Sequence, residues 1–131
     1  MNTKVFSWIV RTIAAIILLQ TLYFKFTAHP DSVYIFSTLG LEPWGRIGIG
    51  IAELITAILL LLPNMAGIGA LLGMGLMAGA IFSHLTQLGI SVNNDKGMLF
   101  GLAVAVFVCC LIVLYLHQNQ ILALIGRKKN N

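Results

Sequence analysis

Apolar residues recur along this chain in four long blocks, separated by two polar connections and one tight turn. The first block, residues 5–28, is interrupted by Arg11, Gln20 and Lys25, and the second, Trp44–Leu62, carries one carboxylate, Glu53. The third, Met65–Leu88, is rich in glycine, and the fourth, Met98–Leu116, is almost free of polar groups. Each approaches the ~20 residues that a helix needs to cross about 30 Å of hydrocarbon. The pattern predicts an all-α integral membrane four-helix bundle, a single domain over residues 1–131 with spans at about 5–28, 44–62, 65–88 and 98–116.

The connections refine this picture. Thr27–Pro43, broken by Pro30, Gly40 and Pro43, holds an apolar patch Val33–Leu39 that suits a short helix or a re-entrant piece at the interface. Pro63-Asn64 is short enough to fold the second and third spans into an antiparallel hairpin. Gly89–Gly97 has the turn chemistry of Asn93, Asn94 and Asp95. In the tail, the patch Ile121–Ile125 either extends the fourth helix or lies along the membrane surface. The basic, apolar start looks like a signal peptide, but TLYFKF follows where a small-residue cleavage site would stand, so the segment is read as a retained helix.

Composition agrees with the pattern: 59% of residues are hydrophobic and only 9% charged, against about 25% charged in soluble domains. The net charge of +4 gathers at the ends, in Lys4, Arg127, Lys128 and Lys129. That placement suits anionic lipid and calls for no nucleic-acid partner. By the positive-inside rule it puts both termini in the cytoplasm of a cell with this protein in its inner (plasma) membrane, with 29–43 and 89–97 outside.

Ionisable groups inside spans are costly, so they are expected to face the bundle interior and to have partners. Arg11, Ala14, Ala15, Leu18, Leu22 and Lys25 share one helical stripe. Arg46, Gly50, Glu53 and Ala57 share another, and Gly73, Met77, Ala80, His84 and Gln87 a third. Counted from the outer boundary, Lys25 and Arg46 lie about one turn in, His84 about 6 Å in, and Gln20 and Glu53 on the order of 12–14 Å in. These depths predict a polar pocket in the outer half of the bundle, built from Arg11, Gln20, Lys25, Arg46, Glu53 and His84, with Tyr23 near it. A plainer reading makes Glu53 structural, held by an ion pair to Arg11 or a hydrogen bond to Gln20. Lys25 and Arg11 can both snorkel outward, and Arg11 can also reach inward.

Other chemistry is poorly served. Adjacent Cys109 and Cys110 match no metal spacing and no CxxC motif, and read as packing residues. His29 and His117 stand at other depths than His84, so no metal site is expected. The glycine run from Gly67 to Gly73 opens no βαβ unit. GxxxG pairs at Gly69/Gly73, Gly75/Gly79 and Gly97/Gly101 are candidate helix-packing faces, including for a homo-oligomer.

Arg11, the Phe24-Lys25 end of the first span, the proline-containing loop, the pattern G-x-x-E-x-x-x-x-x-L-L-L from Gly50 to Leu62 and the glycine-rich third span together resemble the DoxX family of small four-helix membrane proteins. The resemblance implies a four-helix bundle and a quinone-linked or redox-associated role, since relatives include a subunit linked to a thiosulfate:quinone oxidoreductase or terminal quinol oxidase. Arg11, Lys25 and Glu53 match the family's recurrent polar residues, His84 less securely, and no catalytic set comes with them. No cofactor is evident in the residues themselves; a quinone is the ligand the resemblance suggests. Three functions stay open: an accessory protein partnering a redox enzyme, a membrane-embedded oxidoreductase moving protons through Glu53 and His84, and a small transporter subunit acting as an oligomer.

Overall fold

The computed structural model describes residues 2–129, with side chains as far as Ile125, so the side chains of Arg127, Lys128 and Lys129 lie outside the described residues. Among the described residues, four helices are long and apolar enough to cross a membrane: α1 (Thr3–Phe26), α3 (Trp44–Leu61), α4 (Ala66–Ser83, continued to Leu88 by a π-helical turn) and α5 (Met98–Leu116). Two shorter helices, α2 (Pro30–Thr38) and α6 (Gln118–Lys129), accompany them. The spans form a ring in which α1 packs on α3 and α5, and α4 packs on the same two.

The core seam is built from small and branched residues, among them Ala14, Ala15 and Leu18 of α1, Ala57 and Leu60 of α3, Ala70 of α4, and Val106 and Cys110 of α5. Large apolar side chains such as Ile13, Ile16, Ile55, Ile58 and Leu71 point outward instead. That inversion suits lipid, where apolar side chains gain nothing by leaving the solvent and helices associate by close packing. Gly69 and Gly73 show the closeness. A Cβ at Gly69 would stand 2.8 Å from Leu59 Cβ and 2.9 Å from the Leu60 nitrogen, and one at Gly73 would stand 2.6 Å from Cys110 Sγ. Cys110 is thus a packing residue, and Cys109 beside it is half-buried.

At one end of the bundle, here called the terminal end, lie the start of α1, the α3–α4 turn and α6. The chain breaks at His117 rather than extending α5, and α6 docks over the turn. The Gln120 side chain fastens it, accepting from the Gly67 N–H at 2.8 Å and donating to the Pro63 carbonyl at 2.8 Å.

The opposite, loop end carries α2 and residues 89–97. His29 caps α2, its ring accepting from the Asp31 N–H at 3.2 Å, with Pro30 opening the helix. Asp95 organises the other loop by accepting from the backbone N–H groups of Val92, Gly97 and Leu99 at 2.8–3.1 Å, which caps α5. Partial burial alone would raise the Asp95 carboxyl, but these bonds outweigh it and hold it below the ordinary aspartate range. Asn93 donates to Asp31 at 2.9 Å and ties this loop to α2.

Candidate functional site

Glu53 sits midway along α3, 2% exposed. Its partner is Lys25 of α1, whose Nζ lies 2.9 Å from Glu53 Oε1. Lys25 stands in the last turn of α1, where outward snorkelling was open to it, yet it turns inward. A carboxylate shut away from water offers the ammonium a stronger interaction than the headgroup region does, and Arg46, the other cation on that face of α3, is engaged by Glu42.

Arg46 holds the next layer. Its Nε donates to both Glu42 oxygens, at 2.8 and 3.0 Å, one helical turn away. Its Nη1 donates to the Lys25 carbonyl. Lys25 is one residue from the end of α1, so its carbonyl has no following turn to accept from, and Arg46 supplies the missing donor. Gly50, between Arg46 and Glu53 on the same face, admits the Phe26 ring: a Cβ there would meet it at 2.8 Å. Lys25, Arg46 and Glu53 therefore form one cluster across the α1–α3 contact. It places a cationic donor directly against an anionic acceptor, an arrangement that can bind a carbonyl- or hydroxyl-bearing headgroup or carry a proton between the two side chains.

The other residues expected in this cluster lie elsewhere. Arg11 does not pair with Glu53. It is 2% exposed, its Nε donates to the Leu60 carbonyl at 2.5 Å, and its guanidinium carbon stands 3.9 Å over the Trp8 ring. The reason is the same as for Arg46: Leu60 is one residue from the end of α3, and its carbonyl draws the cation toward the terminal end. Gln20 is exposed and bonds neither Glu53 nor Lys25, because two residues beyond buried Leu18 is about 200° around the helix. Tyr23 is likewise exposed.

His84 is buried, but its Nδ1 pairs with the Gly89 carbonyl at 2.9 Å and its ring meets Phe100 edge-on at 5.6 Å. These contacts anchor the loop-end turn of α4 and do not reach Glu53. The π-helical turn that begins at His84 also breaks the expected stripe, leaving Gln87 exposed. Among the described residues, no group of three His, Cys, Asp or Glu side chains could hold a metal ion.

Sequence reasoning missed four participants. Glu42 was readable, since it stands at i,i+4 from Arg46, and Trp8 stands at i,i+3 from Arg11. Ser7 and His117, joined at 2.6 Å across more than a hundred residues, carried no local signal.

The glycines divide in the same way. Gly69 and Gly73 are spent inside the bundle, Gly97 serves the turn before α5 with φ of 86°, and Gly75, Gly79 and Gly101 face outward with nothing within 4 Å of an added Cβ.

A family model described as the DoxX-like family matches residues 9–114, which include α1 from its second turn, α3, α4 and α5 as far as Leu114. No curated protein and no solved structure matches the chain.

Proposed function

Because the chain belongs to the DoxX-like family, we propose that it is an accessory subunit of a quinone- or thiol-linked redox system in the inner membrane, contributing a binding surface rather than a catalytic centre. The observation that carries this reading is the Lys25–Glu53 contact, 2.9 Å long between α1 and α3, with Glu53 buried and Lys25 the partly exposed member. A quinone headgroup has carbonyl oxygens that accept from an ammonium, and its reduced form has hydroxyls that donate to a carboxylate, so the pair suits both redox states. The outward face of α4, with Gly75 and Gly79 open beside Leu72 and Phe82, supports the accessory role as a place for a partner subunit or a second copy.

The test is titration of the full chain in nanodiscs with a short-chain benzoquinone. Saturable binding is expected, weakened about tenfold or more in Lys25→Met and in Glu53→Gln, the loss of one charge-assisted hydrogen bond. Equal affinity in all three proteins would remove the headgroup reading. Quinone turnover with an added dithiol, lost in both Glu53→Gln and His84→Gln, would replace the accessory role with that of a membrane-embedded oxidoreductase. The basic ends support cytoplasmic termini. A membrane-impermeant thiol probe is expected to label Asn93→Cys from outside the cell and Lys4→Cys only after lysis; the reverse would invert the topology.

A further inference from the structure

A second polar site lies at the terminal end, away from the Lys25–Glu53 pair. A cleft of about 340 Å³ opens there between the start of α1, the α3–α4 turn and the end of α5, with Arg11, Lys4, Ser7, Trp8 and His117 in its wall. Arg11 uses Nε for the Leu60 carbonyl, but its Nη2 is buried without a hydrogen-bond partner. A guanidinium N–H shut away from water and left unpaired is unfavourable, and the Trp8 face beneath it provides no acceptor atom.

A second donor follows from a chain of assignments. The Gln120 amide is fixed because its oxygen accepts from the Gly67 N–H and its nitrogen donates to the Pro63 carbonyl. That same nitrogen faces His117 Nδ1 at 3.4 Å, so Nδ1 is the accepting nitrogen and the ring proton resides on Nε2. Burial, with the nearby Arg11 charge, pushes the His117 ring below the ordinary imidazole range, which keeps it in this neutral form. Nε2–H then donates to Ser7 Oγ at 2.6 Å and leaves the hydroxyl proton of Ser7 uncommitted. Among the described residues, the cleft thus holds an unmatched guanidinium N–H and a free hydroxyl proton, with the Lys4 ammonium at its rim and no carboxylate in its wall.

We propose that this cleft is a binding site for a single oxyanion group, a phosphate or carboxylate, received by Arg11 and Ser7 and attracted by Lys4. Two sources carry that chemistry: the headgroup of an anionic phospholipid and a small anion from the aqueous phase. The site needs no contribution from Glu53, so it stands or falls apart from the quinone reading.

The full chain carrying Trp44→Phe retains Trp8 as its single tryptophan, seated against Arg11. In neutral detergent, inorganic phosphate titrated against chloride at constant ionic strength is expected to change Trp8 emission saturably. Ser7→Ala is expected to weaken this response roughly ten- to hundredfold, the loss of one hydrogen bond to a charged group, and Arg11→Met to abolish it. Because Arg11→Met also uncaps α3 and can fail to fold, Ser7→Ala decides by itself. The same titration in nanodiscs identifies the source. A response equal in phosphatidylcholine and phosphatidylglycerol assigns the site to a soluble anion, and one suppressed only in phosphatidylglycerol assigns it to a lipid headgroup. A non-saturating drift, or a saturable response that survives Ser7→Ala unchanged, overturns the proposal.

Discussion

Glu53 and Lys25 meet at a contact where the acid is 3% and the amine 16% exposed in the side chain, and the energetic meaning of such a pair depends on which half is removed. Deleting one partner strands the other and is expected to cost about 3–5 kcal/mol, whereas replacing both with apolar groups of similar size is near neutral. Lys25→Met and Glu53→Leu should therefore each lower stability in detergent, and the double variant should recover most of the loss; additive losses would show that the two side chains do not stabilise each other. Glu53 was legible from the sequence as a residue in need of a partner, because a carboxylate in an apolar run has few tolerable fates. The pocket reading placed Lys25 beside it, but the choice of Lys25 over Arg11 or Gln20 as the direct partner was not legible. Arg11 and Lys25 share a stripe and differ only in which unsatisfied carbonyl or carboxylate lies nearest in three dimensions, and helical spacing carries no information about the facing helix. Arg11 was lost to Leu60 and Lys25 gained for Glu53 for that reason.

Among the elements, α4 shows how one sequence signal divides into opposite roles. Gly69 abuts the backbone of α3 while Gly75, less than two turns later, faces outward. Gly69→Ala is expected to destabilise by about 1–3 kcal/mol through overpacking against a neighbour that cannot rotate away. Gly75→Ala should be neutral or stabilising by up to ~1 kcal/mol through helix propensity. Thermal unfolding of the two variants in one detergent checks this, and equal destabilisation would refute the asymmetry. The GxxxG spacing was readable, but the side of the ring each pair faces was not, since α4 is apolar all round. The cap of α5 was more legible: Asp95 stands in an Asn-Asn-Asp turn just before an apolar run. Its carboxyl is held below the ordinary aspartate range, so its contribution is present above about pH 3.9 and is lost as pH falls through the lowered value. Asp95→Ala is expected to cost about 1 kcal/mol at pH 7, and this difference should vanish in strong acid. A penalty that persisted at low pH would assign Asp95 another role.

At the scale of the whole molecule, four spans and a short turn between the second and third were legible because the bilayer imposes length and polarity directly. The ring order and the seating of α6 were not, because they depend on contacts such as Gln120 with Pro63 that span more than fifty residues. The antiparallel α1–α3 contact carries a feature with a broader consequence. Each of these helices places an arginine near its own start onto the last-turn carbonyl of the other, Arg11 on Leu60 and Arg46 on Lys25. During biogenesis, then, the first span leaves the ribosome with both the side chain and the carbonyl of Lys25 unmatched, and stays so until the second span has been made. A nascent fragment stopped at Glu42 should be handed to quality-control proteolysis, while one stopped at Asn64 should accumulate, and pulse-chase of the two in membranes would reveal equal half-lives if this clasp had no bearing on assembly.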